Sequence, residues 1–155
     1  MPRSTILGLG SYVPDRIVKN EEISFLNDQH VRLADQQTET NDAWIRSRTG
    51  IEERRYVDPD GKTSSSDLGL EAAKRALEDA GLEAKDIDCI IFATLSPDIH
   101  FPGNAVFLQS KLGIDGEHGC ACFDIRQQCS GFVYGLQMAD AFVKTGVYKR
   151  VLIVG

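Results

Sequence analysis

The sequence predicts an α/β protein built on a layered, largely parallel sheet. Two observations predict it. From Ile87 to Gly155, short apolar runs alternate with longer segments of helical period, the order that parallel crossovers produce. The run Ile87 to Thr94, with Cys89, Ile90, Ile91, Phe92 and Ala93, is continuously apolar, as expected of a strand covered on both faces.

Each element has a local reason. Thr5 to Gly10 is a short apolar run (Ile6, Leu7, Leu9) closed by glycine and Pro14, and is expected to form a buried strand. Asn20 followed by Glu21, Glu22 and Ile23 has the pattern of a capped short helix, and the polar stretch 27–40 that of a long loop. Asn41 to Arg48 reads as a helix, with Thr40 or Asn41 as its cap and Gly50 just past its end. The clearest helix is Ser65 to Ala80. Ser64, Ser65 and Ser66 offer caps, Asp67 lies in the first turn, and Leu68, Ala72, Ala73, Ala76, Leu77 and Ala80 form one stripe ended by Gly81. Helices over Gly103–Leu112 and Gly131–Thr145 follow, with strands over Cys120–Ile125 and Val151–Val154.

The 155 residues are 42% hydrophobic and 26% charged, a globular composition. Seventeen Lys and Arg against twenty-three Asp and Glu give a net charge of −6, which argues against a general nucleic-acid binder. No apolar run approaches the ~18 residues of a membrane span, and no signal-peptide core follows Met1. The four cysteines lack zinc spacing and do not form a disulfide framework, so no metal is expected and a reduced, cytoplasmic setting is. Gly155 comes directly after a strand that reads as buried. Residues 1–155 are therefore expected to be a fragment, or one half, of something larger.

The best candidate for chemistry is Asp124-Ile125-Arg126-Gln127-Gln128-Cys129-Ser130-Gly131-Phe132. A buried strand ends, a polar turn follows, and a helix begins, which places Cys129 near a helix N-terminus. Unpaired N–H groups and the helix dipole favour a thiolate there and aim donors at an adjacent oxyanion. Gly131 is expected to let a substrate approach the first turn closely, at the strand ends where parallel sheets place their ligands. The alternative is that Cys129 is a small buried apolar residue, the usual fate of a free cysteine. Cys89, Cys120 and Cys122 lie inside strands and read as core. Of the three histidines, His100 follows a strand end and can face the same crevice, whereas His30 and His118 sit in polar loops.

A second cluster sets the only tryptophan, Trp44, near Arg46, Arg48, Arg54 and Arg55 in an otherwise acidic chain. An indole with guanidinium groups can stack an adenine and pair with phosphates. The alternative is a solvated helix face with its tryptophan packed inward.

Taken together, these residues resemble β-ketoacyl-acyl-carrier-protein synthase III, an initiating condensing enzyme of fatty-acid synthesis with the thiolase-like fold. The matching pieces are Gly8-Leu9-Gly10-Ser11-Tyr12-Val13-Pro14, Asn41-Asp42-Ala43-Trp44-Ile45, Arg48-Thr49-Gly50-Ile51 and Glu71-Ala72-Ala73. Further along stand Ala93-Thr94, Phe101-Pro102, Leu112-Gly113-Ile114, Cys129-Ser130-Gly131-Phe132 and Val151-Leu152-Ile153-Val154-Gly155. The resemblance implies an amino-terminal half of a duplicated αβαβα architecture. It implies Cys129 as the nucleophile, acylated by acyl-CoA before condensation with malonyl-acyl-carrier protein. Trp44 matches the position that stacks on the coenzyme A adenine, Arg48 and Thr49 match neighbouring contacts, and Thr40 lies close by position. Phe101 matches an aromatic at a homodimer interface that reaches the partner's acyl pocket. Coenzyme A enters as substrate, and no further cofactor is implied.

Two features depart from the family pattern. The stretch from Gln29 to Glu39 is longer than the usual connection, and Gln128 stands where a small residue is common. The catalytic His and Asn implied by the resemblance belong to the second half of the fold, so His30, His100 and His118 do not inherit their roles. Two rival readings remain, a thiolase-fold relative with other acyl-CoA partners and a non-catalytic coenzyme A-binding or subunit domain.

Overall fold

The structure is a computed structural model that describes residues 3–23, 41–59, 61–114 and 119–155. The chain separates into two compact units, Val13–Lys62 and Met1–Tyr12 with Thr63–Gly155.

In the smaller unit, β1 (Arg16–Lys19) and β2 (Glu53–Tyr56) pair antiparallel, with Arg16 opposite Tyr56 and Lys19 opposite Glu53. Between them in sequence lies α1 (Asp42–Thr49), capped by the Asn41 side chain and ended by Gly50, as its sequence predicts. Among the described residues, Val18 of β1 and Ile45 of α1 are the buried apolar side chains of this unit. Residues 20–23 are helical, but Asn20 does something other than cap them. It is fully buried, donating from Nδ2 to Asp42 Oδ1 (2.8 Å) and the Ile51 carbonyl (2.7 Å) and accepting from Arg54 Nη1 (2.8 Å). A buried amide must satisfy both of its ends. Asn20 does so by joining three segments of this unit.

The larger unit holds a parallel sheet in the order β4-β3-β5, with β3 (Cys89–Ala93) between β4 (Ala121–Ile125) and β5 (Val151–Val154). Cys89 stands opposite Ala121 on one side and Val151 on the other. Its helices are α2 (Ser65–Ala80), α3 (Asn104–Lys111) and α4 (Gly131–Thr145). Successive strand residues point to opposite faces. Ile90 and Phe92 therefore meet Ala73 and Leu77 of α2 and Ala105 and Leu108 of α3, while Cys89 and Ile91 meet Ala139 of α4. Each fully buried aliphatic side chain, such as Ile90 or Leu108, contributes roughly 1.5–3 kcal/mol.

The start of α2 is tied down twice. Ser64 and Asp67 form a reciprocal capping box, with Ser64 N donating to Asp67 Oδ2 at 2.8 Å. Lys111 then reaches from the end of α3 to Asp67 Oδ1 at 2.5 Å and to the buried Ser66 Oγ at 2.6 Å.

One expected element is corrected. Residues 5–10 do not form a buried strand, as no strand partner is present among the described residues and Ile6, Leu7 and Leu9 are exposed. The segment lies along α2 instead, with the Leu9 amide donating to Asp79 Oδ2 (2.8 Å) and Arg75 to the Ser11 carbonyl (2.7 Å). The physical reason is glycine. A Cβ on Gly8 would fall 2.5 Å from the Ala76 carbonyl oxygen, and one on Gly10 would fall 2.2 Å from that of Ala72. Alternation of glycine with apolar residues reads as a strand, but it also describes a chain pressed against a helix backbone. No helix among the described residues is long and apolar enough to cross a membrane.

Candidate active site

The segment after β4 is a tight strand-to-helix turn. The Thr94 amide donates to the Ile125 carbonyl at 3.1 Å, holding the ends of β3 and β4 together. Gln128 then adopts a φ of 41°, and Gln128–Ser130 make one turn of 3₁₀ helix that leads directly into α4. A positive φ in a non-glycine residue is uncommon and concentrates where a turn must aim a side chain. Cys129 lies in this turn, one residue after Gln128, and is exposed. Ser130 Oγ donates to the Gln127 carbonyl at 3.2 Å and closes the turn. Gly131 is buried, and a Cβ there would meet Ala93 and Ile125 at the ordinary contact distances of 3.5 and 3.8 Å.

The other cysteines are of a different kind. Cys89 is fully buried, and burial pushes its thiol up to about 11. Cys120 and Cys122 are half-buried, their thiols donate to the Ala121 (3.7 Å) and Ala105 (3.5 Å) carbonyls, and the neighbouring Cys122 thiol together with burial raises Cys120. Among the four, Cys129 alone is exposed.

Two residues that the sequence places in this segment without giving them a role shape the surroundings of the turn. Asp124, the fourth residue of β4, accepts from the Asn104 and Ala105 amides at 2.8 Å each, and so caps α3 across the sheet. Its carboxylate also occupies the place of a side chain at Gly103, where a Cβ would come within 2.7 Å of it. The available signal was a carboxylate inside an otherwise apolar strand, since such a residue needs donors. Arg126 donates from Nη2 to the His100 carbonyl (2.7 Å), and its Nη1 lies 3.2 Å from His100 Nδ1. His100 thus meets the cysteine turn through Arg126. Phe101 beside it is 84% exposed and joined to Pro102 by a cis peptide bond.

In the smaller unit, Trp44 is 39% exposed, and the Arg48 guanidinium lies over its ring at 4.7 Å. The other nearby arginines are occupied. Arg46 pairs with Asp42 (2.8 Å) and Glu52 (2.6 Å), Arg54 donates to Asn20, and Arg55 donates to the Pro14 and Asp15 carbonyls. The Thr49 hydroxyl is also in use, donating to the Ile45 carbonyl at 2.8 Å and accepting from the Ile51 amide at 3.1 Å. Trp44 and Arg48 thus form the surface pair. Thr40, His30, His118 and the stretch Gln29 to Glu39 lie outside the described residues.

Comparison with known proteins bears on this geometry. The sequence pattern of the 3-oxoacyl-[acyl-carrier-protein] synthase III family matches residues 123–155, a segment that opens in β4 and contains the whole cysteine turn. A curated relative, the β-ketoacyl-[acyl-carrier-protein] synthase III of Caldanaerobacter subterraneus subsp. tengcongensis, is 47% identical over 150 residues and 97% of this chain. The chain is homologous to synthase III. It spans 40% of the length of that relative.

The solved structures agree. The 3-oxoacyl-[acyl-carrier-protein] synthase III from Aquifex aeolicus VF5 superposes with a TM-score of 0.80 at 37% identity, over 96% of this chain and 42% of that one. The priming β-ketosynthase from the R1128 polyketide pathway gives 0.78 at 33% identity, over 96% and 40%. The fold is thus the thiolase-like α/β fold expected from the sequence.

Proposed function

We propose that this chain carries the acyl-accepting end of a condensing acyltransferase of fatty-acid synthesis, with Cys129 as its nucleophile. The observation that carries the reading is one exposed cysteine in the turn between β4 and α4, inside the segment that matches the synthase III family. The Cys129 thiolate attacks the carbonyl of an acyl-CoA thioester, and the coenzyme A thiolate leaves. Malonyl-acyl-carrier protein then loses carbon dioxide, and the resulting enolate attacks the acyl carbonyl and expels the Cys129 sulfur. Coenzyme A is substrate here, and the chemistry calls for no other cofactor.

Trp44 and Arg48 are the proposed coenzyme A contacts, an aromatic face for adenine and a guanidinium for phosphate. Thr40 and Thr49 stand near them in sequence, although the Thr49 hydroxyl is already engaged within its own helix. Phe101 is the proposed acyl-pocket aromatic of a homodimer. Charge developing on the enolate needs hydrogen-bond donors, and the His and Asn implied by the resemblance belong to a second half. The 155-residue chain alone is therefore expected to give no β-ketoacyl product. A soluble setting in the cytoplasm, where both thioesters occur, fits this chemistry.

The test is to incubate the complete gene product with a panel of acyl-CoA donors and follow intact mass and peptide maps. Acyl mass on Cys129 alone supports the reading. Cys129→Ala should abolish the adduct and lower condensation by at least about a thousandfold. Coenzyme A binding without an adduct from any donor would replace the enzyme by a binding module.

A further inference from the structure

The helix that carries Trp44 and Arg48 is held in place by little apolar burial. Helix α1 has eight residues, too few to persist without outside support, and Ile45 is its one buried residue among the described ones. Trp44 and Arg48 are exposed on it, with the guanidinium 4.7 Å from the ring centroid. Where that pair stands therefore depends on what fixes the two ends of α1.

Polar contacts fix both ends, and they meet in one side chain. The fully buried Asn20 donates from Nδ2 to Oδ1 of Asp42, the first residue of α1, at 2.8 Å. The same nitrogen donates to the carbonyl of Ile51, just past the end of α1, at 2.7 Å. Asn20 Oδ1 accepts from Arg54 Nη1 of β2 at 2.8 Å, and its backbone amide donates to the Glu52 carbonyl at 3.3 Å. Arg46 also bridges Asp42 and Glu52, but this ion pair is exposed, and exposed pairs contribute little. The Asn20 bonds are made away from water, where losing a donor leaves its acceptors unpaired. Two donors and an acceptor on one short, neutral side chain are what this position uses.

We propose that Asn20 is a positioning residue for coenzyme A recognition: by clamping both ends of α1, it aims the Trp44 ring and the Arg48 guanidinium at one ligand. The proposal rests on the reading of Trp44 and Arg48 as coenzyme A contacts. Asn20 is buried and acts through α1 rather than on the ligand. An aromatic face and a phosphate partner add to binding only while both are correctly oriented, so a loosened α1 costs recognition of the nucleotide end of the donor.

The experiment uses the complete gene product. Asn20→Asp keeps an acceptor for Arg54 and loses both donors to the ends of α1. Combining it with Asp42→Asn restores a donor–acceptor pair in the reverse direction and leaves an acceptor for Arg46. Acylation of Cys129 is timed with donors from acetyl-CoA to decanoyl-CoA and with the matching pantetheine thioesters, which lack the adenine nucleotide. In Asn20→Asp the rate ratio of coenzyme A donor to pantetheine donor should fall about tenfold, and the paired variant should recover most of it. Asn20→Gln, with the same amide on a longer side chain, should lower the ratio as well and serves if Asn20→Asp does not fold. An unchanged ratio overturns the proposal, and so does an equal loss with both donor types, which would mark a general folding role. Trp44→Ala tests the underlying reading separately. If it leaves the ratio unchanged, or if the wild-type protein takes no acyl group from any donor, that reading falls and the proposal with it.

Discussion

Helices α2 and α4 are close in length and pack on opposite faces of the same sheet, yet they divide their residues in opposite ways. Along α2, Ala73 and Leu77 are buried while Lys74 and Glu78 face solvent and the exposed Arg75 and Asp79 hold the opening segment, so its polar face is fully accounted for. Along α4, the buried residues are Gly131, Gly135 and Ala139, and the exposed ones include Phe132, Val133, Tyr134 and Leu136. Small residues let α4 approach the sheet closely, Met138 and Phe142 join its core, and Phe132, Val133, Tyr134 and Leu136 point elsewhere. A helix apolar on both sides has the composition of one packed between two layers. Burial seen in the chain alone thus accounts for α2 and leaves half of α4 unexplained, consistent with a chain that spans 40% of its relative's length.

The sharpest way to test the contrast is Leu77→Ala, which empties a site only 8% exposed in the α2 core. It should lower the stability of the larger unit by about 3 kcal/mol, read from the urea midpoint. A smaller effect is expected at the α2 cap. The Lys111 ammonium and the Ser64 hydrogen bonds hold the Asp67 carboxyl down at about 2. Because this lies below the ordinary carboxylate value of about 3.9, the contribution is fully present above that value and is lost as pH falls through about 2. Asp67→Asn should therefore be less stable than the parent at neutral pH and converge with it in acid. The carboxylate is 39% exposed, so the difference should shrink with added salt and stay well below that of Leu77→Ala. Smallest of all, Val133→Lys on the exposed face of α4 should change the stability of this chain by no more than about 0.5 kcal/mol. A loss approaching that of Leu77→Ala would remove the contrast between the helices.

What could be read from the sequence follows from how local each cause is. Ser64, Asp67 and Gly81 bracket α2 because caps act within one turn, and the apolar run around Ile90 marks β3 without further context. The cysteine turn was legible for the same reason, as strand, turn and helix adjoin in sequence. Arg16–Lys19 and Glu53–Tyr56 carry too few apolar residues to announce a sheet, and their pairing becomes visible only once they meet. Asn20 has the chemistry of a cap, but its partners Asp42, Ile51 and Arg54 are distant in sequence. The same holds for Asp124 with Asn104 and for Arg126 with His100. Within the candidate site, the turn that carries Cys129 was readable and the long-range partners of its surroundings were not.

The glycines of the opening segment have a consequence for anyone redesigning this chain. Positions 8 and 10 contribute by lacking a side chain, since the backbone of α2 occupies the space a Cβ would need. Their neighbours Leu7 and Leu9 carry side chains that meet no such wall and are exposed. Within this chain by itself, room for a side chain therefore alternates residue by residue along the stretch, and a library that treats Leu7 through Gly10 as one block would mix positions closed by the α2 backbone with positions that α2 leaves open.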